Sequence, residues 1–431
     1  MGYVGTVYAV GFASLGHNVV GYDISKGKLG FLRSGKSFFF EPCLGVLLDQ
    51  AVKSSLLSVT ESTREAVVSS DITFITVGTP SEKDGGTNLS YVLEASREIG
   101  TALREKSHHT VVVKSTVPPG TTGVAVKKAL EDASGKVATR DFGLVMNPEF
   151  LKEGNALEDF KNPDRIIIGT DDQTSHRPLE RLYAEFTCPK IITSTANAEL
   201  IKYSNNAFLA MKVSFINMIA NLCQRTPGSD VITIAKGIGL DSRIGASFLR
   251  AGAGWGGSCW PKDLAALKAY GNNLRIDLPL IQATMDVNKS QPGKLIDLAR
   301  ELIGDLKGKR IAILGLAFKP NTDDIREAVS IRIIHELHQK GAHLIVYDPV
   351  AMTNMQRCLN LPDIEYASSA TSCLKNTDCA LLVTEWDEFK NITPDDYREL
   401  MKDPCLVDGR RIYDPDEFKK KTKFKAIGLG A

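Results

Sequence analysis

Short apolar runs alternate with stretches of helical spacing along most of the chain. Met1-Gly2-Tyr3-Val4-Gly5 leads into apolar positions at Ala9, Phe12 and Leu15, which follow a helical pattern. Gly16-His17-Asn18 makes a turn. Val19-Val20-Gly21-Tyr22-Asp23 then predicts a short buried strand ending in an acid. Further strands are predicted at residues 71–77, 110–114 and 143–146. Each ends in polar residues with Gly or Pro: Gly78-Thr79-Pro80, the run from Ser115 to Gly120, and Asn147-Pro148-Glu149-Phe150. In an open parallel sheet, ligands bind at the carboxyl ends of strands. These three ends are therefore expected to contact a cofactor and a substrate.

The pattern changes at Ala196. From there to Cys223 neither Gly nor Pro occurs, and apolar positions keep helical spacing through Ile216 and Ile219. One long helix linking two domains is predicted. Lys202 and Asn206 are four residues apart and share a face of it. A shorter helical region contains Gly237-Ile238-Gly239-Leu240-Asp241 and Arg243. Strands resume at residues 310–315, 343–349, 380–385 and 406–410, a second α/β region.

Composition narrows the function. A chain of 431 residues is too long for one core. With 52 basic and 51 acidic residues the formal net charge is +1, which leaves no electrostatic footprint for nucleic acid or an anionic membrane. No run of about 18 apolar residues occurs, so no transmembrane helix is expected. The N-terminus lacks a signal-peptide pattern. The 8 cysteines are scattered, with no C-x-x-C pair and no Cys/His cluster. Neither zinc nor a disulfide framework is expected, and reduced thiols fit a cytoplasmic protein.

Two motifs carry chemistry. Gly2 and Gly5 match the second and third glycines of G-x-G-x-x-G, and Asp23 lies 18 residues beyond Gly5, where an acid binds ribose hydroxyls. The preceding strand and first glycine are absent. The domain is therefore expected to lack one central strand, and a chain extended upstream by about six to ten residues is expected to bind the dinucleotide better. The second motif is Gly256-Gly257-Ser258-Cys259-Trp260-Pro261-Lys262-Asp263. Pro261 suits the first position of a helix. Cys259 would then sit at the positive end of the helix dipole, which favours thiolate, with Asp263 on the same face. That arrangement suits an activated nucleophile beside an acid/base group.

These motifs occur in order with Ser115-Thr116-Val117-Pro118, the run from Asn147 to Gly154, Lys202/Asn206, the run from Gly315 to Pro320, and Asp408-Gly409-Arg410. Together they resemble the UDP-glucose/GDP-mannose dehydrogenase family over nearly the whole chain. Asn162-Pro163-Asp164-Arg165-Ile166-Ile167-Ile168-Gly169 is more similar to the branch that oxidises UDP-glucose. The resemblance implies an α/β fold. Two Rossmann-like doubly wound domains, at 1–192 and 296–431, would be joined by a central helical dimerisation domain at 193–295. It also implies oxidation of a sugar C6 alcohol to a carboxylate with two NAD⁺ in succession, through a thiohemiacetal and a thioester on Cys259.

The same resemblance implies the other roles. Lys202 and Asn206 would stabilise oxyanions. Asp263, and Glu149 acting through water near Thr116, would move protons. Gly2, Gly5, Asp23, Lys28, Thr79, Thr116, Glu153, Lys262 and Arg326 would contact NAD, with Asp23 disfavouring NADP⁺. Leu151, Lys152, Glu153, Lys202, Asn206, Phe248, Leu249, Gly256, Phe318, Lys319 and Arg410 would contact the nucleotide sugar. Arg243 would reach the neighbouring subunit of a homodimer or larger assembly. Ala253, Trp255, Met218 and Ala328 depart from the family's usual residues without removing a catalytic group. Two alternatives remain open: a sister enzyme acting on GDP-mannose or a UDP-N-acetylhexosamine, and an inactive nucleotide-sugar-binding homologue.

Overall fold

The computed structural model describes residues 1–430. It divides into two compact units. The first comprises Met1–Asn205 with Ala265–Ile276, and the second comprises Asn206–Leu264 with the chain from Asp277 onward.

In the first unit, β1 (Val19–Tyr22) pairs in parallel with β2 (Leu57–Thr60). A separate sheet has the order β3 (Ile72–Ile75), β4 (Thr110–Val113), β5 (Gly143–Met146), β6 (Ile166–Gly169) and β7 (Lys190–Thr193). All its pairs are parallel except β5–β6, which meet antiparallel at Met146 and Gly169. Among the described residues no strand joins β1 to β3. The first helix, Tyr3–Ser14, packs Phe12 against Phe160 edge-to-face at 5.2 Å between ring centroids. Such contacts add to the burial that holds this helix to the helix Ala156–Lys161.

The second unit contains β8 (Arg310–Leu314), β9 (His343–Tyr347), β10 (Glu365–Tyr366), β11 (Cys379–Leu382), β12 (Cys405–Asp408) and β13 (Lys423–Ala426). All are parallel, in the order β10-β9-β8-β11-β12-β13. This is the doubly wound dinucleotide-fold order, whose direction reverses between β8 and β11. Residues 311–314 and 379–382 are completely buried. A parallel sheet covered on both faces requires such unbroken apolar runs.

The long helix spans Thr195–Cys223, as its spacing predicts. Its most apolar window reaches a mean hydropathy of 1.3, which by length and composition alone would suffice to cross a bilayer. The expectation of no transmembrane helix rested on continuous apolar runs: Ser, Asn and Lys break every such run here but leave the average high. Six members of the helix are nevertheless buried polar or charged groups, Thr195, Glu199, Lys202, Asn206, Ser214 and Asn217. A second long helix, Pro279–Ile303, contains Pro292 in its interior and gave no clear signal in the sequence.

Candidate active site

In the first unit, the segment after β5 carries Glu149 into a buried ion pair. Lys202 Nζ donates to Glu149 Oε1 at 2.9 Å and to the Glu149 carbonyl at 2.6 Å. The Leu151 N–H donates to the other carboxylate oxygen at 2.6 Å. Burial pushes the Glu149 carboxyl up, but Lys202, the Leu151 N–H and the charge of Lys114 outweigh it. The group is held below the usual carboxylate range. The Phe150 ring centroid lies 5.3 Å from Lys202 Nζ and 3.8 Å from the Arg165 guanidinium.

Thr116 is half-buried in the loop after β4. Glu199, one turn before Lys202 on the long helix, anchors that loop by accepting the N–H groups of Gly120 at 2.6 Å and Thr122 at 2.7 Å. Burial pushes Glu199 up to about 7. Leu151 and Glu153 are half-buried, and exposed Lys152 pairs with Asp159 at 2.9 Å. Glu41 is buried and accepts from Tyr3 Oη, from the Gly154 N–H at 2.6 Å and from the Ala156 N–H at 2.7 Å. It thus ties the glycine turn to the segment following Glu149. Sequence reasoning missed both Glu41 and Glu199. Glu199 carried a signal, being three residues from Lys202 on one helix.

The glycine turn fits a dinucleotide. A Cβ on Gly2 would meet nothing within 4 Å, so the turn is open. The helix that follows has no acid in its first turn and no side-chain cap, leaving its positive end available to a diphosphate. A Cβ on Gly5 would lie 2.6 Å from Thr76 Oγ1, so this glycine permits close approach of helix and strand end. Asp23 accepts the Ser25 N–H at 2.8 Å and faces the Met1 ammonium at 3.1 Å and Lys28 at 3.6 Å. Thr79 is buried just past β3.

In the second unit, Cys259 is followed directly by the start of the helix Trp260–Asn273, one residue earlier than Pro261 suggests; the helix from Ala265 onward belongs to the first unit. The Asp263 N–H donates to the Cys259 carbonyl at 2.9 Å, closing the first turn. Ser258 Oγ lies 3.5 Å from Cys259 Sγ. Asp263 is buried and takes Asn206 Nδ2 at 2.7 Å and Lys262 Nζ at 2.6 Å. The thiol is thus at the positive end of a helix, which favours thiolate.

The run from Ala251 to Gly257 is a buried loop, so its backbone polar groups need partners. Asn217 accepts the Gly252 N–H at 2.8 Å, Gln291 donates to the Gly252 carbonyl at 3.0 Å, and Asn288 exchanges two bonds with Trp255. None of these three was legible as part of the site, because two lie on the unforeseen helix Pro279–Ile303. The Gly257 N–H donates to the Arg326 carbonyl at 2.9 Å. A Cβ on Gly256 would lie 2.1 Å from the Glu327 carbonyl oxygen, so only glycine fits there.

Phe248 adopts a left-handed φ of 65° and sets its ring 5.9 Å from Trp260, while Leu249 is buried. Arg410 is half-buried, donating to the carbonyls of Val383 at 2.5 Å and Gly254 at 3.1 Å. Phe318 and Lys319 follow β8, beside the point where strand order reverses, and Lys319 lies 5.6 Å over the Phe318 ring. Arg326 is exposed and pairs with Asp324 at 2.6 Å. Arg243 is exposed and pairs with Asp241 at 2.6 Å, in contact with none of these groups.

Two doubly wound regions, a glycine turn for a dinucleotide and a cysteine at a helix start define a class: an NAD-dependent dehydrogenase of nucleotide sugars. The NAD binding domain of the UDP-glucose/GDP-mannose dehydrogenase family matches residues 1–187, its central domain 196–290 and its UDP binding domain 312–415. The chain belongs to this family. It is similar to a UDP-glucose 6-dehydrogenase of Haloferax volcanii, with 43% identity covering 95% of each chain. One from Bacillus subtilis is 41% identical, covering 97% of this chain and 89% of the relative. Among solved structures, a UDP-glucose dehydrogenase from Pyrobaculum islandicum superposes with a TM-score of 0.92 at 39% identity, covering 99% of this chain and 96% of that one. A UDP-D-ManNAc dehydrogenase from Pyrococcus horikoshii reaches 0.86 at 26% identity, covering 99% and 97%.

Proposed function

We propose that the chain oxidises C6 of UDP-glucose to the carboxylate, giving UDP-glucuronate. NAD⁺, when bound, accepts one hydride in each of the two oxidations. Cys259 adds to the C6 aldehyde, forming a carbon–sulfur bond, and the resulting thiohemiacetal loses a hydride and a proton to become a thioester. Water then attacks the thioester carbonyl, releasing carboxylate and restoring the thiol. Asp263, and Glu149 through water near Thr116, take and return the protons. Lys202 and Asn206 stabilise the negative oxygen of each tetrahedral species. The observation that carries this reading is the half-buried thiol at a helix start whose first turn places Asp263 on Asn206 and Lys262.

Gly2, Gly5, Asp23, Lys28, Thr79, Thr116, Glu153, Lys262 and Arg326 hold NAD. Leu151, Lys152, Glu153, Phe248, Leu249, Gly256, Phe318, Lys319 and Arg410, with Lys202 and Asn206, hold the nucleotide sugar. Residues 1–192, 193–295 and 296–431 serve as cofactor, dimerisation and nucleotide-sugar domains in a cytoplasmic protein. The test is a count of NADH against sugar over a panel of nucleotide sugars. UDP-glucose is expected to yield two NADH per sugar and to have the largest kcat/KM. One NADH per sugar would reject the thioester route, and a preference for GDP-mannose or a UDP-N-acetylhexosamine would reject the substrate.

A homodimer is part of the same proposal, with Arg243 reaching the neighbouring copy's site. It is supported by Phe208, Phe215 and Leu222, which recur every seven residues on the long helix and are 58%, 44% and 62% exposed. That spacing makes one unpartnered apolar stripe, the pattern a second helix covers. Sedimentation at micromolar concentration is expected to give twice the chain mass, and Phe208→Glu is expected to shift it toward the monomer. A monomeric wild type would reject the dimer.

A further inference from the structure

Lys114 is a buried amine, 1% exposed, at the end of β4 and outside every role assigned above. Both hydrogen bonds of its ammonium go to one residue: Asn147 Oδ1 at 2.7 Å and the Asn147 carbonyl at 3.1 Å. Asn147 is the first residue after β5 and lies two before Glu149. It is held on its other sides as well. Its own N–H donates to the Val113 carbonyl at 2.8 Å, its Nδ2 donates to the Ile167 carbonyl at 2.7 Å, and Tyr183 Oη donates to its Oδ1 at 2.7 Å. The departure point of the Glu149 segment is therefore locked to the strands β4 and β6 and to one tyrosine, with Lys114 supplying the only charge.

We propose that Lys114 is a positioning residue for the Glu149–Lys202 pair, fixing Asn147 and presenting a second buried cation to the Glu149 carboxylate. The inference rests on the proposed role of that pair.

An ammonium ion this deep is costly unless it is paired, and a lysine kept only for packing would be replaced at little cost by an apolar residue. The groups around it bear on that cost. Tyr8 of the first helix places its ring centroid 4.0 Å from Nζ. Burial lowers the Lys114 amine to about 7, with Glu149 opposing and Lys202 adding to that shift. Tyr183 stays neutral, pushed up by burial. The cavity that Lys114 helps to line also carries Lys152, Asp159, Asp164 and Arg165. Lys152 is paired with Asp159, and Asp164 lies 3.7 Å from Arg165. Glu149 is the carboxylate whose charge favours the Lys114 ammonium.

Three variants test the proposal, read by steady-state kinetics and by melting temperature against pH. In Lys114→Met the kcat is expected to fall about 10-fold or more, the scale of a slight misplacement, with KM changed less than about threefold. The acid limb of kcat/KM should move up by about one pH unit, because Glu149 has lost a cation. Lys114→Arg should lower kcat but leave the limb in place. Tyr183→Phe, which removes one bond to Asn147 and no charge, should lower kcat modestly and leave the limb unmoved. The melting curve supplies a reading independent of turnover. Glu149 contributes stability above its unfolded pKa, which is lost as pH falls through its lowered folded value, so in the Met variant that loss should begin at higher pH. Limbs and melting profiles that are unmoved in Lys114→Met, or moved equally in Lys114→Arg, would overturn the proposal. If the Met variant does not fold, the Arg and Phe variants decide it, and a kcat within twofold of wild type in both overturns it. Absence of NADH from wild type with every nucleotide sugar would reject the functional reading and leave the melting test standing.

Discussion

Cys259→Ser is expected to abolish net turnover while UDP-sugar binding stays near that of the wild type. The loss should be at least ~10³-fold in kcat, the scale on which removing an activated nucleophile acts. The thiol lies at the start of the helix Trp260–Asn273, where the backbone dipole favours its anion. A serine hydroxyl in the same place keeps a far higher pKa and gains too little from that field to ionise near neutrality. The change removes one sulfur and adds one oxygen, so the buried loop from Ala251 to Gly257, held by Asn217, Asn288 and Gln291, should be undisturbed. Calorimetric titration with UDP-glucose, alongside an NADH assay, checks both halves. Turnover within tenfold of wild type would sink the covalent route, and lost binding would mean that the cysteine serves the loop.

Lys202→Ala is expected to lower kcat by at least ~100-fold, the scale of losing one group that stabilises an oxyanion. It is also expected to destabilise the fold by about 3–5 kcal/mol, because Glu149 would remain buried without its ion-pair partner. The two effects separate by pH. In the wild type, Glu149 is held below its ordinary value, so stability falls when acid protonates it. In the variant, burial prevails over the remaining cation and raises the same carboxyl. Stability should then fall as pH rises above about 4, where the unfolded chain ionises and the folded chain resists. Melting temperatures between pH 4 and pH 7 test the reversal. An unchanged slope would mean that Lys202 does not control the ionisation of Glu149, and a loss confined to KM would make it a binding group only.

The sequence carried whatever depended on local pattern. The long helix was legible because 29 residues, Thr195–Cys223, contain neither Gly nor Pro. The strands β1, β3, β4, β5, β8, β9, β11 and β12 were legible as short continuous apolar runs, the pattern of parallel strands in an α/β fold. Cys259 and Asp263 could be placed on one helical turn from spacing alone. Other strands were hidden. In β13, Lys-Phe-Lys-Ala alternates exposed or half-exposed lysines with buried apolar residues, which is too short a pattern to stand out. The strand β2 places Ser58 outward between Leu57 and Val59. The helix Pro279–Ile303 was obscured by Pro292, which neighbours in the tertiary structure bury and tolerate.

By itself, the sequence determined which chemical groups this protein possesses and the order in which they occur. Glycine turns, a cysteine before a helix, and a lysine and an asparagine one turn apart are all local facts, set by backbone sterics and helical periodicity. Only the tertiary structure decided how those groups are charged and held. Lys202 meets Glu149, 53 residues away, and Asn206 meets Asp263, 57 residues away. Glu41, Lys114 and Glu199 act through partners distant in the sequence and buried from water. The reason is physical: ionisation depends on desolvation and on charges a few ångströms away, and strand order and packing alone bring those charges into place.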